Sequence, residues 1–202
     1  MNDLRRNVAL GILATLLGLS LSYGCGLQVD SAERRRDERF RPEEVMTLIG
    51  VRPGMVLGEA GVGTGYFTFK LAGRVGMKGH VYANDIDARA LQVISDRSLK
   101  ENIQNITTVV GEVEDPLFPA LDLDMIVALH AFHDFERKVE WLNNAKAYLK
   151  PGASLVLIER HSSHTQISKE RVTAFAEQAG YKLADYREFN PEAMIYVLQL
   201  ER

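Results

Sequence analysis

Three alternating glycines, Gly61, Gly63 and Gly65, stand between an apolar run and an amphipathic one, and few folds accommodate that arrangement. The run Met55–Ala60 is apolar except for Glu59 at its end; from Tyr66 onward, apolar residues recur at helical spacing through Phe67, Leu71 and Val75. This predicts a buried parallel strand, a tight turn and a helix packed back on the strand. Glycines without a Cβ let the turn enter positive φ and let a ligand lie close to the backbone. Amide groups at the helix start have no intrahelical partner and face that ligand. The turn is therefore a seat for something flat and partly polar.

Spacing narrows the ligand. A dinucleotide fingerprint reads G-x-G-x-x-G/A, with a pyrophosphate on the helix N-terminus. Here Tyr66 occupies the last position and the third glycine comes one residue early; no G-K-[ST] follows, which excludes a Walker-type phosphate loop. Glu59 adds negative charge where a pyrophosphate would rest, and suits a cationic ligand group. The pattern Glu59-x-Gly61-x-Gly63-x-Gly65 resembles motif I of the class I S-adenosylmethionine-dependent methyltransferases. The resemblance implies that Glu59 helps hold the methionine end of S-adenosylmethionine and that the glycine turn lies against it. It also implies an α/β, Rossmann-like three-layer sandwich: a mostly parallel seven-stranded sheet with a C-terminal antiparallel hairpin.

The 202 residues suffice for one α/β domain and a short extra segment. A hydrophobic share of 46% with net charge −3 is a globular composition without the field that nucleic acid requires. The single cysteine, Cys25, excludes an internal disulfide and a Cys-rich zinc site. Residues 1–29 read as a signal peptide or membrane anchor: Arg5 and Arg6 precede an uncharged apolar run from Val8 to Leu21. Gly24-Cys25 resembles a bacterial lipobox, with Cys25 as the lipidation site, although Ser22 and Tyr23 depart from that pattern. Uncharged residues from Asn7 to Val29 equally suit an uncleaved anchor. The expected location is membrane-associated, with the side open: the lipobox says outside, whereas five arginines from Arg34 to Arg41 and a cytosolic cofactor say inside. Residues 30–41 read as a charged, solvated helix or linker, and 42–202 as the methyltransferase domain.

A short helix is expected from Pro42, with Glu43 and Glu44 in its first turn. His80–Asn84 reads as the second strand, with Asp85 at its carboxyl end and 20 residues beyond Gly65, where an acid meets a ribose in nucleotide-binding α/β folds. Asp87 reads as the cap of a helix over Ala88–Leu99. Strand three, Ile106–Val110, leads to Glu112 and Val113, which the resemblance places at the adenine amino group and ring. Strand four ends near Leu129, followed by His130, Phe132, His133 and Asp134 in the crevice where substrate should meet cofactor. A helix over Glu136–Leu149, a fifth strand, a helix capped by Ser168, and strands over Lys182–Phe189 and Met194–Leu200 complete the domain.

A methyl on a sulfonium needs little activation, so positioning dominates and an acidic acceptor needs a base. His130, His133, His161 and His164 are the available imidazoles; His133 is preferred, beside Asp134 as orienter. A divalent ion on Asp134, Glu159 and His161 is weighed and rejected. The reading is methyl transfer to a small-molecule or lipid-like acceptor. A tethered S-adenosylmethionine-binding protein without transfer and a nucleotide-dependent oxidoreductase remain as alternatives.

Overall fold

The computed structural model describes residues 31–161 and 167–200, and the unit beginning at Ser31 is one compact body. The expected signal or anchor over residues 1–29, including Cys25, lies outside the described residues, as does His164. Among the described residues, no helix is long and apolar enough to cross a membrane.

A seven-stranded sheet in the order β3-β2-β1-β4-β5-β7-β6 carries the domain. Its strands are β1 (Val56–Ala60), β2 (His80–Asp85), β3 (Ile106–Val110), β4 (Leu123–Leu129), β5 (Leu149–Glu159), β6 (Tyr181–Asn190) and β7 (Ala193–Leu200). β1 to β5 run parallel, while β7 inserts antiparallel between β5 and β6. This is the expected mostly parallel sheet with a terminal hairpin. Strand order reverses between β1 and β4, so the crevice above their carboxyl ends is the switch point where such sheets bind ligands.

The helices are α1 (Ser31–Phe40), α2 (Pro42–Leu48), α3 (Tyr66–Val75), α4 (Ala88–Glu101), α5 (Lys138–Ala145) and α6 (Lys169–Gln178). Strands buried on both faces need two helical layers. One core joins Phe40, Met46, Phe67 and Leu71 to the sheet at Leu57, Val127 and Val156; the other joins Trp141, Leu142, Val172 and Ala176 to Ile126, Leu155 and Tyr196. Asp87 caps α4 by accepting from Arg89 N at 2.9 Å, and Ser168 caps α6 by accepting from Arg171 N at 3.3 Å.

Two segments depart from the reading of periodicity. The helix expected to reach Leu149 ends at Ala145, tightens through a 3₁₀ turn at Lys146–Tyr148, and yields Leu149 to the sheet opposite Leu123. Side chains at its end are anchored to the preceding β3–β4 loop: Asn144 Nδ2 donates to Glu114 O at 2.9 Å and Tyr148 OH donates to Asp115 at 2.6 Å. The charged segment before Pro42 is helical, but one of its faces is docked. Tyr66 OH and Lys70 Nζ both donate to the Asp37 carboxylate, at 2.7 and 2.8 Å, and Lys70 also reaches Glu33 at 3.2 Å. Phe40 is buried, with its ring edge-on to Tyr66 and Phe67. One aromatic and two acids at helical spacing thus hold α1 against the start of α3.

Candidate active site

β1 delivers the glycine turn to the switch point. All three glycines have positive φ, +69° at Gly61, +52° at Gly63 and +85° at Gly65, yet they serve different ends. A Cβ at Gly61 would fall 2.4 Å from Ala131 Cβ, and one at Gly65 2.8 Å from Ile94 Cγ1 and 3.0 Å from Phe69 Cε2. Those two positions let the turn lie against the β4 loop and α4. At Gly63 a Cβ would meet nothing within 4 Å, so its open side faces space rather than protein.

That space is a cavity of about 280 Å³ lined by Gly61, Gly63, Asn84, Asp85, Ile86, Glu112, Val113, His130, Ala131, Asp134, Phe135, Glu136 and Trp141. The wall residues come from the ends of β1, β2, β3 and β4, so the parallel topology gathers them. Asp85 accepts from Gly63 N at 2.9 Å and from Asp87 N at 3.0 Å. One carboxylate thereby pins the turn and starts the next loop, while its remaining lone pairs are available to a ligand. Asn84, buried beside it, donates to Pro116 O at 2.7 Å and holds the β3–β4 loop, and with it Glu112 and Val113, against the cavity. Ile86, 62% exposed, offers an apolar face between Asp85 and Val113 that sequence reasoning passed over.

Glu59 lies beneath the turn, 2% exposed, and its Oε2 has no hydrogen-bond partner among the described residues. Burial pushes its carboxyl up to about 8; Thr68 and Arg36 hold it back, and Asp85 adds to the rise. The Thr68 hydroxyl acts without completing a hydrogen bond of standard geometry, since Oγ1 is itself buried and unpartnered. A buried acceptor without a donor is costly, and a cationic or N–H-bearing ligand group would satisfy it.

The histidines separate into distinct situations. His130 has positive φ and lines the cavity, but both its nitrogens are engaged: Nε2 with Glu192 O at 2.6 Å and Nδ1 with Arg160 Nη2 at 2.8 Å. Arginine only donates, so Nδ1 accepts and Nε2 carries the proton. Burial, with Arg160 and Arg36 adding to it, pulls the imidazole down to about 4. Both ring nitrogens of His130, expected as a candidate base, are thus engaged by protein groups. His133 is held differently, because Glu159 at the end of β5 accepts from its backbone N at 3.1 Å and meets its Nδ1 at 2.7 Å. Glu159 is fully buried, and burial raises its pKa against the opposing pull of His133. Nε2 of His133 faces Asp134 Oδ2 at 3.3 Å, and Lys138 Nζ fixes the loop by donating to His133 O at 2.9 Å. Asp134, not His133, lines the cavity. Glu159 thus meets the imidazole at Nδ1 and Asp134 meets it at Nε2, and Asp134 also lines the cavity. His161 lies apart, its N donating to Pro191 O at 2.7 Å, beside a separate cavity with Glu188, Asn190 and Met194.

Fold and site together define a nucleoside-binding α/β domain, and comparison with known proteins specifies which. A family model described as "Methyltransferase domain" matches residues 52–190, and the chain belongs to that family, within the class I S-adenosylmethionine-dependent methyltransferases. It is 30% identical over 122 residues to the ubiquinone/menaquinone biosynthesis C-methyltransferase UbiE of Hydrogenovibrio crunogenus, covering 60% of this chain and 48% of that one. The corresponding figures for UbiE of Shewanella oneidensis are 30% over 125 residues, 60% and 49%. The chain thus spans about half the length of these curated relatives. Among solved structures, a SAM-dependent methyltransferase from Aquifex aeolicus superposes with TM-score 0.77 at 23% identity, covering 85% of this chain and 98% of that one. A SAM-dependent O-methyltransferase from Thermotoga maritima gives 0.61 at 14%, covering 84% and 71%. These two likenesses establish the fold.

The cradle fits the family's cofactor on its own geometry. Gly63 leaves space where a ligand would touch backbone, Asp85 retains acceptor capacity for a ribose, and Glu59 keeps an unpartnered oxygen buried beneath the turn.

Proposed function

We propose that the chain transfers a methyl group from S-adenosylmethionine to a small-molecule or lipid-like acceptor. The observation that carries this reading is the continuity of the cavity, which runs from the open side of Gly63 past Asp85 to Asp134. Glu59, Gly61, Gly63 and Gly65 would hold the amino-acid end, Asp85 the ribose, and Glu112, Val113 and Ile86 the adenine. The bound cofactor supplies an electrophilic methyl on a sulfonium. The protein's part is alignment, exclusion of water and removal of one proton from the acceptor. Asp134 meets that proton at the cavity wall and shares it with His133 Nε2, while Glu159 fixes the ring through Nδ1. Ala131, Phe135 and Trp141 give the acceptor end an apolar wall, in keeping with relatives named for ubiquinone and menaquinone biosynthesis.

The test is calorimetry with S-adenosylhomocysteine and NAD, followed by transfer of labelled methyl to extracted metabolites and lipids. Binding of the first nucleoside alone, with label appearing in an organic-soluble product, is the expected result. Binding without transfer would leave a sensor, and NAD binding would restore the oxidoreductase reading. Membrane attachment through residues 1–29 belongs to the same proposal; recovery of the full chain in the soluble fraction of lysed cells would remove it.

A further inference from the structure

The stretch between β3 and β4 carries Glu112 and Val113 along the cavity wall, yet it contains neither helix nor strand. Its local shape comes from a turn closed twice: Glu112 N donates to Asp115 O at 2.7 Å, and Asp115 N to Glu112 O at 3.3 Å. Among the described residues no hydrogen bond or ion pair holds the Glu112 carboxylate, so the backbone of this turn decides where it stands. The turn is held in its turn from behind. Asp115 Oδ1 accepts from Leu117 N at 2.9 Å and from Tyr148 OH at 2.6 Å, while Asn144 Nδ2 donates to Glu114 O at 2.9 Å. Phe118 is buried with its ring edge-on to Tyr148, centroids 5.6 Å apart, and rests on β1 where Gly58 has no side chain. A Cβ at Gly58 would fall 2.7 Å from Phe118 Cζ. Tyr148 and Asn144 do not line the cavity themselves; Trp141, one turn before Asn144 on α5, does. A loop that carries function takes its precision from the rigid elements that hold it, and here those are the end of α5 and the 3₁₀ turn after it.

We infer that Tyr148 and Asn144 are positioning residues for base recognition: acting through Asp115 and Glu114, they set the place of Glu112 and so the preference for a purine with a 6-amino group. An ionised carboxylate only accepts hydrogen bonds, so at that place it favours an amino group and opposes an oxo group. A shift of about 1 Å in the turn removes that contrast. It leaves the ribose contact in place, because Asp85 is pinned separately to Gly63 N and Asp87 N. The inference rests on the proposed S-adenosylmethionine site, with Glu112 at the adenine amino group.

The experiment titrates the purified full chain with S-adenosylhomocysteine and with S-inosylhomocysteine, which carries oxygen in place of the 6-amino group. Wild type is compared with Glu112→Gln, Asn144→Ala and Tyr148→Phe, the last of which keeps its ring against Phe118. Wild type should prefer the amino compound by about tenfold or more, and Glu112→Gln, whose amide also donates, should lose most of that preference. Tyr148→Phe and Asn144→Ala should each reduce the preference about threefold or more, through weaker S-adenosylhomocysteine binding, with S-inosylhomocysteine affinity held within a factor of about two. Hydrogen exchange on the unliganded chain should quicken about tenfold at the Glu112 and Asp115 amides in both variants, with β1 and β4 unchanged. Wild-type exchange at those amides overturns the inference, and so do equal losses for the two nucleosides, which mark loop packing alone. If Glu112→Gln keeps the full preference, the base is read elsewhere and the inference falls although S-adenosylhomocysteine still binds. A wild type that binds neither nucleoside overturns the methyl-transfer reading, and base recognition with it.

Discussion

Substituting alanine at Gly63 and at Gly65 should separate the ligand's contribution from the fold's within a three-residue span. Both residues sit in the left-handed region, which costs an L-residue about 1 kcal/mol or slightly more. At Gly63 that is the whole penalty, because the new methyl meets no protein atom within 4 Å. At Gly65 the methyl would press on Ile94 and Phe69, both buried, and overpacking of this kind adds about 1–3 kcal/mol. For a domain of this size each kcal/mol lowers Tm by about 2–4 °C. Gly63→Ala should therefore melt only about 2–4 °C early, whereas Gly65→Ala, at roughly 3 kcal/mol, should melt about 6–12 °C early. Ligand affinity should run the other way. Gly63→Ala loses at least tenfold toward S-adenosylhomocysteine, and Gly65→Ala, measured well below its melt, loses much less. Scanning calorimetry and titration calorimetry on the same preparations give both numbers. A Gly65→Ala chain as stable as wild type would refute the packing argument, and full affinity in Gly63→Ala would show that its open side is not the ligand's space.

Other outcomes follow from the same geometry. Glu59 has a folded pKa of about 8 against an ordinary value of 4.5, so the folded state holds a proton that the unfolded state releases in that interval. Its contribution to stability is present below pH 4.5 and fades as pH rises toward 8; the full shift bounds it at about 5 kcal/mol, and Glu59→Gln should flatten that part of the stability–pH curve. Because an ammonium favours the ionised form, S-adenosylhomocysteine should bind with proton release near pH 7, detectable as a buffer-dependent heat that Glu59→Gln abolishes. Asp85→Ala should weaken nucleoside affinity at least tenfold while the chain stays folded; an unchanged titration would remove Asp85 from ribose binding. Glu159→Gln and His133→Ala should cut turnover tenfold or more and shift its pH profile, with S-adenosylhomocysteine affinity held within a factor of about two; equal losses in binding and turnover would mark a structural role instead.

Features set by neighbours in the chain were readable from residues alone. The glycine turn, Asp85 at a strand end, the Asp87 and Ser168 caps and the terminal hairpin each depend on a few consecutive residues, and each stands where spacing put it. Relations made across the sheet were not. His133 and Glu159 are 26 residues apart and meet only because β4 and β5 are adjacent and parallel, so the near neighbour Asp134 took the orienting role in a reading confined to sequence. His130 and Glu192 are 62 residues apart, and nothing local to His130 announces that its ring is spoken for. The charged run before Pro42 carried a subtler signal. Glu33, Arg36, Asp37 and Phe40 share one face of a helix at spacings of three, four and seven, but a stripe made mostly of ions does not register as a buried side when only apolar residues are counted.

That stripe has a practical consequence for anyone preparing the protein. Cutting at Pro42, the boundary a hydropathy plot recommends, would strip Lys70 of both carboxylates that neutralise it and lay bare Tyr66 and Phe67, on which Phe40 packs. The shortened chain would be stickier, with apolar rings exposed where Phe40 had covered them. A recombinant version meant to omit the apolar run Val8–Leu21 should begin no later than Ser31.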